Sequence, residues 1–547
     1  TIPEDAIDVQ KFGATGNGSD DDTGAIQTAI DFAASNGKIV YFPAGSYLVS
    51  SALYYDGGYS NGIEFIGAGP RNTKIFSSGD IDVFSLYELR SGLVDGIEFN
   101  HTGTNKAAGA DIKLDGCNSV RIQNCRFTNC FTAIESTKDL SSHKTNTVWI
   151  TDCAVDIGHG ATISDLRIII IQDTVGFYGS GLAIGWGTAN IDASIDIDSG
   201  VDTATFVNLV SNQSGGGTGD AFRISNSFSS DFQARWIHLT NCYLEGGTTG
   251  YGLYVKAGND ISITNSYMVN SKTGAYITGG GDIRLSNSTI LVCQDFGIKA
   301  TGGSFVSIIG NTVADNNVAA GSLHGIWVDT AVVSARLIGN VITTGYGSNI
   351  TPSTVENGIH LVADEAVCIG NQIDNCDNSG ISVFGDRNII SGNTCSDNSI
   401  YGIICQTAAT DNLVYGNVCS GNGSAEILDS GTDTQIKTNL GIADKNLYTQ
   451  ETVASATNMS IAKGTDTVLV SGTTNVVTMP TATIGRRVAI VATDASGFTV
   501  EHNPSATPTA GEFFLNGGVN LALTQYQSIL VEGVTISTYV MWVQVGS

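Results

Sequence analysis

The chain has 547 residues and carries 52 Asp and Glu against 25 Lys and Arg, a net charge of −27. Such a field repels nucleic acid and anionic membrane surfaces, and an acidic ligand would need a local basic patch. Gly is abundant at 67 and Pro scarce at 7, which points to a β-rich chain with many turns. The 11 Cys are odd in number and sit in repeated NC and DC contexts, so they are expected to pack as small buried apolar groups in a chain made in a reducing cytoplasm. No apolar run is long enough to span a membrane, and the N-terminus is not signal-like. The abrupt opening TIPEDAIDV is expected to follow a lost N-terminal segment.

In chain order, the first element is GATGNGSDDD at 13–22, followed by the helical stretch TGAIQTAIDFAAS. The acids lack the twelfth-position Glu of a calcium loop, and no GK[ST] follows to make a phosphate loop. They are expected to cap the helix. Ala25, Ile26, Ala29, Ile30 and Phe32 would then face the open end of whatever core follows.

The middle of the chain repeats. Asn241, Asn265, Asn287, Asn311, Asn340, Asn371, Asn393 and Asn417 each follow a short apolar strand. A second series keeps phase with them, with Gly252, Gly274, Gly297, Gly325, Gly358, Gly380 and Gly402 each opening an alternating strand of the form GIxV. A repeat of about 22 residues with short strands is the signature of a β-solenoid. Asn suits the turn because it tolerates left-handed backbone, and stacked Asn side chains can ladder between coils. Less regular coils precede at 117–134 and 146–157, and 160–220 breaks the period. The expected organisation is therefore all-β: an N-terminal cap at 1–50, a solenoid at 51–430, a linker at 431–455 and a C-terminal β-sandwich at 456–547 whose strands read as antiparallel.

FGATGNGSDDDTGAIQTAI and VYFPAGSYLVS resemble the N-terminal signature of the pectate-lyase-like superfamily. The resemblance implies a right-handed parallel β-helix. Length, the small C-terminal β domain and the lack of a signal peptide make the chain most similar to bacteriophage tailspikes of that superfamily. A tailspike would be a homotrimer on the virion tail, joined to tail or baseplate through an N-terminal segment, and would cleave bacterial surface polysaccharide with paired carboxylates. The DPHE motif of the alginate-epimerase branch is absent, and GHG at 158–160 stands without the NTD, DD and RIK motifs of polygalacturonases, so both branches are set aside.

In this family the outward face of the strand after the long loop lines the groove. Here that strand is GIxV, and Tyr254, Lys256, Tyr276, Lys299, Trp327, His360 and Phe384 would form an aromatic stripe with interspersed charges. Such a stripe suits sugar binding. The longest loops, 312–323 and 343–357, flank it. Hydrolysis needs two carboxylates; Asp329 with Glu356 is the first candidate pair and Asp295 the reserve. Glu245 with Asp220, beside Arg223, is a second pair. Asp364 and Glu365 read as turn acids. A uronate lyase using His360, Lys299 and Lys256, or a non-catalytic adhesin, are the alternatives. No cofactor is expected, and neither the Cys nor the 7 His have metal-ligand spacing.

Overall fold

The computed structural model describes residues 6–546 except 78, 102–106, 158–165, 188, 214–215, 227–232, 315, 317–323, 345–354, 441–449, 457–466, 480–486, 494, 503–511, 517–518, 526 and 537–538. The chain divides into two compact units, 1–413 with 418–434, and 414–417 with 435–547.

In the first unit each coil contributes one strand to each of three long parallel sheets, taken in the order first, second, third sheet. The GIxV strands form the third sheet. Alternate residues point inward, so Val, Ile, Leu and Phe fill the solenoid while their neighbours face outward. The coils also run through 160–220, where the sequence suggests a break. Strands Arg167–Ile171, Gly176–Ser180, Ala183–Gly185, Ala193–Ile197, Thr203–Val207, Val210–Asn212 and Asp220–Ile224 continue all three sheets. The repeat is hidden there because apolar Leu182 and Leu209 fill the interior position after the turn, where later coils place polar residues.

That turn explains the Asn series. Its first residue is left-handed: Asn241, Asn265 and Asn287 in earlier coils, Gly310, Gly339, Gly370 and Gly392 in later ones. The next residue turns into the core, so Asn311, Asn340, Asn371 and Asn393 occupy the position of Cys242, Ser266 and Ser288. A side-chain oxygen on each coil accepts the backbone N–H of the coil before: Ser266 from Cys242, Ser288 from Ser266, Asn311 from Ser288, Asn340 from Asn311, Asn371 from Asn340 and Asn393 from Asn371, at 2.9 to 3.1 Å. Every Asn in this run also donates Nδ2 to a carbonyl, as Asn340 does to Ile308 at 2.8 Å. The ladder satisfies buried backbone donors that a tight turn would orphan. All 11 cysteines are buried and none is in a disulfide.

Helix α1 (Thr23–Asn36) buries Ile26, Ala29, Ile30 and Ala33, while Phe32 is 46 % exposed and packs on Phe12. The acids before it act as expected only in part. Asp22 sits at the N-cap position, but its carboxylate accepts from the Thr15 and Gly16 N–H groups of the Gly-rich loop and makes no cap bond; Asp21 accepts the Thr23 N–H instead. Gln27 of α1 exchanges two 2.9 Å hydrogen bonds with the backbone of Tyr54, on the outermost strand of the third sheet.

The second unit is a mixed sheet with a two-stranded sheet packed over one core, in which Val470, Ile490, Val500, Leu523, Ile529 and Trp542 are buried. Trp542 donates Nε1 to the Met479 carbonyl at 2.7 Å. Gln450–Ala454, Thr467–Ser471 and Arg487–Ala492 pair in parallel, not antiparallel. The connections between them are a dozen residues or longer, enough for crossovers that a hairpin reading misses.

Replacing Asn340 by Ala leaves the Asn311 N–H and the Ile308 carbonyl without their buried partners. The expected loss is about 2–4 kcal/mol, read as a lowered melting transition of the solenoid; Asn340→Ser, the residue that supplies the acceptor at 266 and 288, should lose less.

Candidate functional site

The third sheet owes its outward surface to a column of glycines. A Cβ on Gly274 would strike Ile290 and Cys293 in the core, and one on Gly325 would lie 2.7 Å from Ile342. Gly252, Gly297, Gly358 and Gly380 are equally confined. Because the glycine itself faces inward, the residue before it is turned outward, out of simple alternation. Each coil therefore presents two outward columns where period two predicts one. The first contains Asp220, Tyr251, Thr273, Phe296, His324 and Asn357. The second contains Asp196, Arg223, Tyr254, Tyr276, Lys299, Trp327 and His360, in unbroken register.

The rings form two clusters, which Lys299 bridges into one wall. Tyr254 and Tyr276 stack at 5.3 Å and 12°, with Tyr251 4.7 Å from Tyr254. His324 and His360 stack at 4.1 Å and 3°, and Trp327 stands across them at 79° and 76°. Phe384 continues the wall 4.8 Å from His360. The Lys299 ammonium lies 4.4 Å from the Trp327 ring centre, 4.5 Å from Phe296 and 5.7 Å from Tyr276. Burial, together with the charges of His360 and Lys299, pushes His324 down to about 3; burial lowers His360 to about 4 despite the opposing charge of Asp329. Both histidines are therefore uncharged at neutral pH. Trp327 Nε1 and His360 Nδ1 are buried and have no hydrogen-bond partner among the described residues.

Toward the N-terminal coils the wall meets a charged cluster. Arg223 binds Asp192 through two bonds, at 2.7 and 2.6 Å, and Asp196 at 2.8 Å; its Nη1 is also 3.8 Å from Asp220. Burial pushes the Asp192 carboxyl up, but the bonds and charge of Arg223 outweigh it and hold the group below its ordinary value. Burial dominates at Asp220, which rises to about 7 although it accepts the Tyr251 N–H at 3.0 Å and feels Arg223. Near neutral pH Asp192 is thus ionised while Asp220 still holds its proton in part of the molecules, a pairing suited to general acid catalysis beside an ionised partner. The Asp192 side chain is 40 % exposed and accessible to a ligand.

The register separates the first carboxylate pair suggested by sequence. Trp327 lies opposite His360, so Glu356 falls just before the start of its strand, while Asp329 lies beyond the end of the neighbouring one. At about 3.3 Å per residue they are roughly 20 Å apart along the strand, too far to act together on one glycosidic bond. Asp329 instead neighbours His360. Asp295 shares the edge position of Glu356 two coils away, roughly 10 Å at the Cα atoms, and its charge reaches Tyr251. Glu245 lies on the second sheet, where Tyr243 and Asn270 bind its carboxylate, and so does not join the stripe. Asp364 and Glu365 pair with Arg387 at an exposed turn. GHG at 158–160 and most of the two long loops lie outside the described residues. Tyr251, Phe296, His324, Asp192 and Asp196 were not singled out from the sequence. The residue preceding each marker Gly was the available signal for the first three.

Asp220 makes stability pH-dependent. Its folded value near 7 lies above the unfolded value of about 3.9, so the folded state holds the proton more tightly. That contribution is complete below about pH 4 and is lost as pH rises toward 7. Asp220→Asn, which cannot ionise, should be more stable relative to the parent at pH 8 than at pH 4, by an amount of the order of a few kcal/mol. Melting curves across that range check it; a pH-independent difference would contradict the assignment.

Comparison with known proteins agrees with the fold. Residues 6–203 match the family described as rhamnogalacturonase A/epimerase, pectate lyase-like, and residues 227–357 match the right-handed beta helix region family. The mannuronan C5-epimerase AlgE2 of Azotobacter vinelandii is 36 % identical over 114 residues, covering 20 % of this chain and 10 % of the epimerase. The matched stretch is thus about a tenth of that relative's length. It lies in a branch that the missing DPHE motif had set aside. Among solved structures, the AlgE4 A-module of Azotobacter vinelandii is 16 % identical, covers 80 % of this chain and 100 % of its own, and has a TM-score of 0.41. The pre-mature gene product 12 of bacteriophage phi29 is 15 % identical, covers 86 % and 62 %, and has a TM-score of 0.40. The matched regions and the three-sheet coil together give the first unit the fold of a right-handed parallel β-helix.

Proposed function

We propose that this protein binds a bacterial surface polysaccharide along the outward face of the third sheet and hydrolyses it, as the depolymerase of a phage tailspike. The observation that carries the reading is the ring wall from Tyr251 to Phe384 ending against Asp220, a carboxyl near 7 beside an ionised one. The wall supplies apolar surface for sugar rings. Asp220 donates its proton to the glycosidic oxygen as the leaving group departs. Asp192, kept ionised and oriented by Arg223, attacks the anomeric carbon. Both carboxylates lie against the same Arg223 nitrogen, at 2.7 and 3.8 Å, which suits the close spacing of about 5–5.5 Å used in retaining hydrolysis. Water then releases the sugar, with Asp220 acting as base.

Asp220→Asn should lower turnover on the host's purified polysaccharide at least about 100-fold while binding persists. Parent activity should fall as pH rises through about 7, because the acid form of Asp220 is lost. New reducing ends with retained anomeric configuration support the reading; full activity in Asp220→Asn removes Asp220 from the mechanism.

A second reading is β-elimination on a uronate-containing glycan. It is favoured by the Lys299 ammonium, which stands among three rings where it would neutralise a uronate carboxylate. Lys299→Met would then abolish activity, and each cut would leave an unsaturated uronate end with its characteristic ultraviolet absorbance. Unchanged chain length would mean a binding adhesin.

In the tailspike reading the second unit locks a homotrimer. A chain ending at 434 should lose trimeric mass in light scattering; a stable trimer would reject that role.

A further inference from the structure

A second hollow lies on the outward face of the second sheet, away from the ring wall. Its origin is in the side-chain sizes. Down the column Arg126, Ala154, Ala183, Val210, two consecutive coils carry only Ala, and Gly185 beside them carries nothing. Larger side chains stand on the coils before and after. The cavity that results measures about 580 Å³, within the roughly 300–1,000 Å³ that small-molecule sites occupy.

Its lining is chemically divided. Ala154, Ala183 and Val210 give an apolar floor. Arg71 on one wall makes no ion pair among the described residues, and Arg126 pairs only loosely with Asp156, at 3.4 Å with both groups exposed. Asn212 lines the cavity with a buried Oδ1 that has no hydrogen-bond partner among the described residues. An unsatisfied buried acceptor costs free energy unless something donates to it. An unpaired arginine facing a hollow is notable in a chain with a net charge of −27 and offers a planar fork for a carboxylate. A ligand that satisfies the set has an apolar ring face, hydroxyls to donate to Asn212 and Asp156, and a carboxylate.

We propose that this hollow is a second, non-catalytic saccharide site that takes an acidic sugar, its carboxylate on Arg71 and Arg126 and a hydroxyl on Asn212 Oδ1. It lies on a different sheet from the ring wall, so it holds a separate stretch of glycan and does not depend on which reaction the wall supports.

The test uses the full chain and isothermal titration with trigalacturonate, with maltotriose as the neutral control. Ala183 is exposed on the floor, so Ala183→Trp fills the hollow without entering the core; Arg71→Ala removes the free cation. Trigalacturonate should bind at least tenfold more tightly than maltotriose, and both variants should lose at least tenfold of that affinity with unchanged melting and unchanged activity on polysaccharide. Equal binding of the two sugars, no binding of trigalacturonate, or acidic-sugar affinity that survives Ala183→Trp would each overturn the proposal. A loss of polysaccharide cleavage in Ala183→Trp would also overturn it, by showing the hollow to be part of the reactive groove.

Discussion

Parallel pairing in strict register between successive coils is the constraint from which the first unit follows. Once one coil is placed, each residue of the next is set one strand spacing away, roughly 4.8 Å, so that equivalent positions line up in columns. Columns then have to be chemically compatible with themselves. Apolar columns pack the interior. At the turn after the first sheet the column can supply an acceptor to the buried N–H of the coil before, and Ser266, Ser288, Asn311, Asn340, Asn371 and Asn393 do so in succession. The ladder fixes the depth and angle at which the chain enters the second sheet and, one strand later, the third.

The same logic builds the candidate site. A glycine column with no room for Cβ lets the third-sheet strand present residues on both sides of it to the outside. The result is a wall two side chains wide, on which Tyr251 meets Tyr254 and His324 meets His360. Burial in that wall keeps the histidines uncharged, and burial at its N-terminal end raises Asp220 to about 7 while Arg223 keeps Asp192 ionised. Packing and one guanidinium thus drive the acidities of two adjacent carboxyls apart.

Much of this was legible from the chain. The Gly markers fix the phase of the GIxV strands, so the column Tyr254, Tyr276, Lys299, Trp327, His360 could be written down in register. The companion column could not, because alternation sends Phe296 and His324 inward unless the glycine's own inward turn is known. The coils carrying Asp192 and Asp196 were illegible for another reason: Leu182 and Leu209 replace the polar ladder residue there and the repeat loses its visible mark. Pairing Asp329 with Glu356 used nearness in sequence to adjacent coils without asking at which end of the strand each residue lies. The parallel pairing in the C-terminal unit was missed because alternation reports a buried face, not strand direction.

A stack of parallel coils exposes, at its first coil, a row of amide and carbonyl groups able to template another strand, which is the geometry of fibril growth. Gln27 occupies that row on the third sheet: its side-chain amide mimics a peptide group and takes both the N–H and the carbonyl of Tyr54. One side chain therefore acts as a chain terminator for the sheet. It makes the solenoid a particle of finite length, in which a repeat that could otherwise add copies of itself end to end stops at a defined coil.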